Sequence, residues 1–277
     1  MSPIQILELE NPNRLVKVRH GWFLANPKDV YVGRALLNYG EYSEMEWQLL
    51  EQLLRPGLDA VEIGANIGSH TVPMARRLAV LKRRLLVVEA QPVIFQSLCA
   101  NIALNGLSNV LAENLACSDQ PGTLSFSAPD YGGEFNFGGV AMRQDGGGCQ
   151  RVRAARLDDM LPPGFLPGLI KIDVEGFELK VLEGAAQTIA RHRPILYLEN
   201  DRREHSKALI EHLWAANYRV YWHTPYLFNP ANFAGKSENI YPTIASINML
   251  ALPKEAPLSA GGNSPITDSS EYPATRG

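Results

Sequence analysis

Val61-Glu62-Ile63-Gly64-Ala65-Asn66-Ile67-Gly68-Ser69-His70 is the stretch on which the reading of this chain turns. The apolar run Asp59–Ile63 predicts a strand, the glycines a tight loop, and the stretch from about Gly68 to Val80 a helix. Glycine lets backbone approach a ligand closely, and a helix N-terminus offers N–H groups with no intrahelical partner. The spacing is G-x-N-x-G rather than the G-x-G-x-x-G of a dinucleotide site. Glu62, directly before the loop, would repel a pyrophosphate and suits a ligand with ammonium and sulfonium charges. A plain strand-to-helix turn is the alternative.

The next strand, Leu85–Ala90, is almost wholly apolar, as a strand buried on both faces should be, and it ends in Glu89. A carboxylate at that strand end accepts both hydroxyls of a ribose, unless it simply faces solvent. Together, Glu62, Gly64, Ala65, Asn66, Gly68, Ser69 and His70 with Glu89, Ala90 and Gln91 point to an adenosine-containing cofactor without phosphates, S-adenosylmethionine. A cap or solvent role for His70 stands beside its cofactor role.

Outward from this core, strands and helices alternate from about Arg55 to Leu252, the pattern of an α/β fold with a largely parallel sheet. Pro92 opens a helix that stops at Asn105-Gly106, and a third strand falls near Asn109–Ala116. Residues 117–156 are crowded with glycines, including Gly146–Gly148, and read as a hairpin-like excursion with a mobile loop. There Tyr131, Phe135 and Phe137 form a candidate lid, or a loop packed on the core. Strand Leu169–Asp173, helix Glu178–His192, strand Ile195–Glu199, helix Arg203–Ala216 and strand Arg219–Trp222 follow, and Ile244–Leu252 reads as a last strand. Residues 1–54 form a cap with one amphipathic helix, Ser43–Leu54, opened by a Ser43/Glu46 capping box. Residues 55–254 form the main domain, and 255–277, rich in Gly, Pro, Ser and Thr, a disordered tail.

Composition narrows the function classes. The chain has 277 residues, 45% apolar and 20% charged, with a net charge of −3. Such a charge builds in no strong attraction to nucleic acid or anionic membrane. Cys99, Cys117 and Cys149 make no C-x-x-C pair and fit a reducing compartment. The N-terminus lacks a signal-peptide apolar core, and no apolar run approaches the ~20 residues that span a bilayer. The expectation is a cytoplasmic protein without membrane insertion, with a homodimer through the N-terminal segment left open.

Leu169-Ile170-Lys171-Ile172-Asp173-Val174-Glu175-Gly176-Phe177-Glu178 places acids at the carboxyl end of the fourth core strand, where open α/β sheets bind ligands. KIDVEGFELKVLEGA resembles the signature of the FkbM family of S-adenosylmethionine-dependent methyltransferases. VEIGANIGSHTVPMA and VVEAQP are similar to its cofactor motifs, and RLDDML to its linker before the fourth strand, although Arg156 stands where Thr is more usual. GEYSEMEWQLLEQLLRPG, YWHTPYLFNPANF and SINMLALP extend the resemblance from about Tyr31 to Pro253. The resemblance implies a Rossmann-like class I methyltransferase: a seven-stranded, mostly parallel sheet with an antiparallel last strand and helices on both faces. It implies methyl transfer to a hydroxyl of a small molecule or glycan, a sugar, polyketide or similar. It places Ser118 near the adenine and Asp173 at the cofactor.

Tyr197-Leu198-Glu199-Asn200-Asp201 follows the fifth core strand, beside Asp173 on the fourth. The pattern is similar to metal-dependent methyltransferases of the catechol O-methyltransferase type, with Glu for Asp. It makes Asp173, Glu199 and Asn200 candidate ligands of Mg²⁺ or Mn²⁺. Helix capping and loop hydrogen bonds are the alternative. Glu175, and after it His223 in the loop Tyr221–Tyr226, are the candidate general bases, with Asp173 at the reacting centre. Lys171 lies on the same strand face as Asp173 and reads as structural. Trp222, Tyr226, Phe228 and Phe233 form a candidate sugar-stacking wall. The rivals are metal-free transfer to oxygen, transfer to nitrogen, carbon or nucleic acid, and a cofactor-binding protein without catalysis.

Overall fold

A computed structural model describes residues 4–9, 12–143 and 150–273. An antiparallel meander, β1 (Gln5–Glu8), β2 (Arg14–Val18) and β3 (Gly21–Ala25), leads into helices α1 (Val32–Tyr39) and α2 (Glu44–Leu53). The core then runs β4 (Asp59–Ile63), α3 (Thr71–Val80), β5 (Leu85–Val88), α4 (Pro92–Leu104) and β6 (Val110–Glu113). A side sheet of β7 (Ala116–Cys117), β8 (Gly122–Phe126) and β9 (Gln150–Ala155) stands where the pattern would place another helix. The chain returns through β10 (Pro167–Ile172), α5 (Glu178–Gly184), α6 (Ala186–His192), β11 (Ile195–Glu199), α7 (Arg203–Ala215), β12 (Tyr218–His223), β13 (Asn248–Pro253) and β14 (Ser264–Pro265).

The main sheet is ordered β14-β12-β13-β11-β10-β4-β5-β6. Its seven core strands carry the expected topology: β13 runs antiparallel to both neighbours, and β4, β5, β6, β10 and β11 are parallel. Strand parity sends alternate side chains to opposite faces. Val61, Ile63, Leu86, Val88, Ile170 and Ile172 pack with Val181, Ile189 and Leu209 from α5–α7 on one face. Ala60, Leu85, Val87, Leu169 and Tyr197 pack with Leu50, Met74 and Leu98 from α2–α4 on the other.

Five features differ from the sequence reading. The stretch Glu178–His192 is two helices, because α5 ends at Gly184, where a Cβ would lie 2.0 Å from the Ser118 carbonyl oxygen. Helix α1, eight residues ending in a left-handed Gly40, has no strong caps to announce it. Ser43 sits in left-handed backbone and its hydroxyl donates to the Glu46 carboxylate at 3.1 Å, so no capping box forms. The stretch after Glu255 is not a disordered tail through residue 273. Ala260 and Ile266 are buried anchors, β14 pairs with β12, and the Tyr272 hydroxyl donates to the Asn200 carbonyl at 2.8 Å.

Finally, the glycine-rich excursion is tied down where it is described. Phe137 is 1% exposed in a cluster with Phe23, Ile67 and Ile94, and the Phe135 carbonyl accepts the Val30 N–H while the Phe135 N–H donates to the Lys28 carbonyl. Gly146–Gly148, expected in the mobile part, lie outside the described residues, as does Cys149.

Candidate active site

The order of strands reverses between β4 and β10, and a cavity of about 480 Å³ opens at the carboxyl ends of β4, β5, β10 and β11. That switch point is where ligands bind in open α/β sheets. Two tight approaches shape it. Gly64, at φ +81°, brings the loop so near β10 that a Cβ would lie 1.7 Å from the Asp173 carbonyl oxygen. Its N–H and that of Ala65 both donate to the Val88 carbonyl, tying the loop to β5.

At the glycine-loop end, Glu89 accepts the Asn66 N–H and the Gln91 N–H, each at 2.9 Å. Both residues and Ala90 line the cavity. Burial pushes the Glu89 carboxyl up to about 7, against the pull of these N–H groups. Glu62, 1% exposed, accepts the Thr71 hydroxyl at 2.5 Å, and burial raises it to about 7 although Lys171 pulls it down. His70 also lines the cavity. Burial, then Lys171, lowers it to about 3, and its Nε2 is buried with no hydrogen-bond partner among the described residues. Gln91 holds the excursion over this end: its Nε2 donates to the Phe137 carbonyl at 2.7 Å and its Oε1 accepts the Tyr131 hydroxyl at 3.1 Å.

At the opposite end stand the acids. Asp173, Glu175 and Glu199 each offer one carboxylate oxygen, and all three oxygens lie within 4.8 Å of one another. Glu175 occupies left-handed backbone at φ +55° and accepts from Arg202 Nη2 at 2.5 Å, while Arg202 Nη1 lies 3.2 Å from Asp201. Burial, then the negative charges of Asp173 and Asp201, push Glu175 up to about 8. Burial, then Asp173 and Glu175, push Glu199 well above the carboxylate range, and its Oε2 is buried without a partner among the described residues. This donor set, all oxygen and short of positive charge, fits a hard divalent cation.

Several expected site residues lie elsewhere. Asn200 does not line the cavity: its Nδ2 donates to Ser206 Oγ at 2.8 Å and Met249 Sδ at 3.2 Å, while Glu175 stands with Asp173 and Glu199. His223 is outside the cavity lining, with Nδ1 bonded to the Tyr197 hydroxyl at 2.7 Å. Ser118 faces Asp119, at 2.9 Å, while its neighbours Ala116 and Cys117 reach the cavity. Gly68 packs under Leu98 rather than lining the site. Of the aromatic wall, Trp222 meets Tyr272 edge to face, as Phe228 meets Tyr39, and Phe233 lies under Arg19. Leu227 and residues 244–248 line the cavity instead.

Lining residues that the sequence reading passed over include Tyr42, Glu46, Arg202 and Asn248. A signal for Glu46 was present. It shares the inner face of α2 with Trp47 and Leu50, and a carboxylate on an apolar helix face asks for a partner.

A family model described as the methyltransferase FkbM domain matches residues 62–220. Methyltransferase sdnD of Sordaria araneosa is 32% identical over 154 residues, which are 45% of this chain and 59% of that protein, so the chain matches under two thirds of its length. The crystal structure of methyltransferase FkbM from Methylobacillus flagellatus KT superposes with a TM-score of 0.46 at 17% identity, covering 82% of this chain and 56% of that one. The crystal structure of precorrin-6y C5,15-methyltransferase from Geobacter metallireducens GS-15 superposes with a TM-score of 0.51 at 13% identity, covering 83% and 94%, a likeness of fold.

Proposed function

Since the chain belongs to the FkbM methyltransferase family, we propose that it moves the methyl group of S-adenosylmethionine to a hydroxyl of a small molecule or glycan. The observation that carries this reading is one cavity with two unlike ends: the glycine loop with Glu89 at one, and Asp173, Glu175 and Glu199 at the other. S-adenosylmethionine supplies an electrophilic methyl group on a sulfonium centre.

The residues divide the work. Glu89, fixed by the two backbone N–H groups, keeps lone pairs for the ribose hydroxyls. Gly64, Ala65, Asn66, Ser69 and His70 shape the amino-acid end of that cradle. Asp173 orients the acceptor hydroxyl, and Glu175, held near neutral pH, takes its proton. Tyr131 and Phe137, anchored through Gln91, exclude water from a transfer in which charge disappears.

Asp173, Glu175 and Glu199 would hold Mg²⁺ or Mn²⁺, which lowers the pKa of a bound hydroxyl. The buried Glu199 Oε2, without a partner among the described residues, supports that reading. Metal-free transfer, with a proton shared among the three acids, is the second reading, and the raised Glu175 supports it.

The acceptor is proposed to be free of phosphates rather than a nucleic acid. The cations lining the cavity, Lys171 and Arg202, are engaged by Asp173 and Glu175. No helix among the described residues is long and apolar enough to cross a membrane; a cytoplasmic location is our reading from the cysteines. The exposed Ile6 and Leu7 on edge strand β1 support a homodimer through the N-terminal segment. The test is methyl transfer from tritiated S-adenosylmethionine to a panel of glycosides, polyols, amines and RNA, with EDTA and with Mn²⁺. Labelled ether products support the proposal, and labelled nucleic acid or amine products alone sink it.

A further inference from the structure

Glu62, Lys171 and Tyr197 stand side by side in register across β4, β10 and β11. All three are buried, on the sheet face that α2 covers. A lone ammonium at the 3% exposed Lys171 side chain would be costly. Its Nζ donates to Asp173 Oδ2 at 2.9 Å and stands 3.9 Å from Glu46 Oε1. Burial works against its charge, yet Asp173, Glu46 and Glu62 hold it firmly protonated.

Glu46 is the hub of this arrangement and lies outside the matched residues 62–220. It is 4% exposed and lines the cavity. It accepts from Ser43 Oγ at 3.1 Å and from Asn248 Nδ2 at 3.4 Å, and it lies 3.8 Å from His70 Nδ1. Asn248 Nδ2 also donates to the Tyr197 hydroxyl at 2.9 Å. One carboxylate from the N-terminal segment thus meets groups from the glycine loop, β10 and β13. The titratable groups around it are Tyr42 before α2, His70 before α3, Lys171 and Asp173 of the β10 segment, Glu62 of β4, Tyr197 of β11 and His223 of β12.

We propose that Glu46 is a positioning residue of the reaction site: it steadies Lys171 against Asp173 and sets the negative charge that the cavity presents to the sulfonium. The proposal rests on the proposed function for the identity of the cofactor. With all four groups ionised, Glu46, Glu62 and Asp173 outweigh Lys171 by two negative charges. Glu46→Gln leaves one, Lys171→Met leaves three, and the double variant restores two.

S-adenosylmethionine and S-adenosylhomocysteine differ by a methyl group and one positive charge, so the ratio of their dissociation constants reads the local potential. Burial raises Glu46 and lifts Glu62 to about 7, so calorimetric titration of the full chain in EDTA at about pH 8.5 gives that ratio. Glu46→Gln lowers the preference for S-adenosylmethionine by about threefold or more, and Lys171→Met raises it by about as much. Glu46→Asp and the double variant stay within about twofold of the wild type.

A packing role for Glu46 moves both ligands equally. An unchanged ratio in Glu46→Gln, or a double variant that does not return, therefore overturns the proposal. Should Glu46→Gln fail to fold, Lys171→Met and the double variant decide alone. A wild type that binds neither ligand fails the proposed function, whereas wild-type binding with an invariant ratio fails this inference only.

Discussion

Glu89 and Asn66 are joined across the mouth of the cofactor end: the Glu89 carboxylate accepts the N–H of Asn66, a residue in left-handed backbone at φ +50°, at 2.9 Å. The acid placed for a ribose therefore also fixes the loop that would cradle the rest of the ligand. Glu89→Gln keeps one carbonyl acceptor where two carboxylate oxygens serve Asn66 and Gln91. Charged hydrogen bonds of this kind contribute about 1.5–3 kcal/mol, so S-adenosylhomocysteine affinity should fall by about ten- to a hundredfold. Calorimetric titration measures this, and an affinity within about twofold of wild type would remove Glu89 from the site.

The same carboxyl sets a pH dependence. Its folded value, about 7, lies above the 4.5 of an exposed glutamate. A raised carboxyl favours the protonated folded state, so that stabilisation is complete below about pH 4.5 and lost as pH climbs through about 7. Ribose hydroxyls donate to the ionised form. Binding of S-adenosylhomocysteine near pH 6 should release close to one proton, and near pH 8.5 almost none. Titrations in buffers of different ionisation enthalpy count the protons. No release near pH 6 would contradict the assignment.

Gly64 offers a stability test. A methyl group there would collide with the Asp173 carbonyl, and the φ of +81° strains any side chain besides. Gly64→Ala should cost at least about 2–3 kcal/mol, enough to lower Tm by several degrees or prevent folding. Gly57→Ala, at φ +84° with nothing within 4 Å of its Cβ, carries the dihedral strain alone and should cost less. Thermal melts of the pair separate close approach from backbone strain.

These positions show what a sequence can and cannot reveal here. The glycine loop and the strand ends that carry Glu89 and Asp173 were legible, because a local pattern dictates each of them: a turn, an apolar run, a strand end; the sheet topology came from the family resemblance instead. The turn of Asn200 away from the cavity was not legible. Which side of a strand end a side chain takes depends on Ser206 and Met249 behind it and on the left-handed turn at Glu175. The roles of Glu46 and Asn248 escaped for a similar reason. They meet at 3.4 Å across 202 positions of chain, and no local periodicity reports such a pairing. The folded stretch after Glu255 was hidden by its polar composition: its anchors are the scattered Ala260, Ile266 and Tyr272 and the two-residue β14.

The excursion over the cofactor end is held by Phe137, 1% exposed, and by the bond from Gln91 to its carbonyl. Phe137→Ala should cost about 3–5 kcal/mol where the cavity cannot collapse. Much of that loss should appear as local opening of residues 128–140 rather than global unfolding. Hydrogen exchange across this segment, with and without S-adenosylhomocysteine, reads it directly. Faster exchange confined to the segment, with a raised dissociation rate for the ligand, is the expected result. Uniformly faster exchange would assign Phe137 to the core alone.

The acid cluster yields the sharpest division. If a divalent cation occupies Asp173, Glu175 and Glu199, it relieves the repulsion that, after burial, raises Glu175 and Glu199. Mn²⁺ should then bind with S-adenosylhomocysteine present, give an anomalous peak bounded by these three residues, and raise Tm. Asp173→Asn and Glu199→Gln should each weaken Mn²⁺ by at least about tenfold, because each removes a charged oxygen ligand. Asn200→Ala, whose side chain bonds Ser206 and Met249 instead, should leave Mn²⁺ affinity within about twofold and lower Tm. A cation held by Asn200 would reverse that order. Absence of any peak at saturating Mn²⁺, with the cofactor end filled, would leave the three acids to share a proton and Glu175 to act as the base.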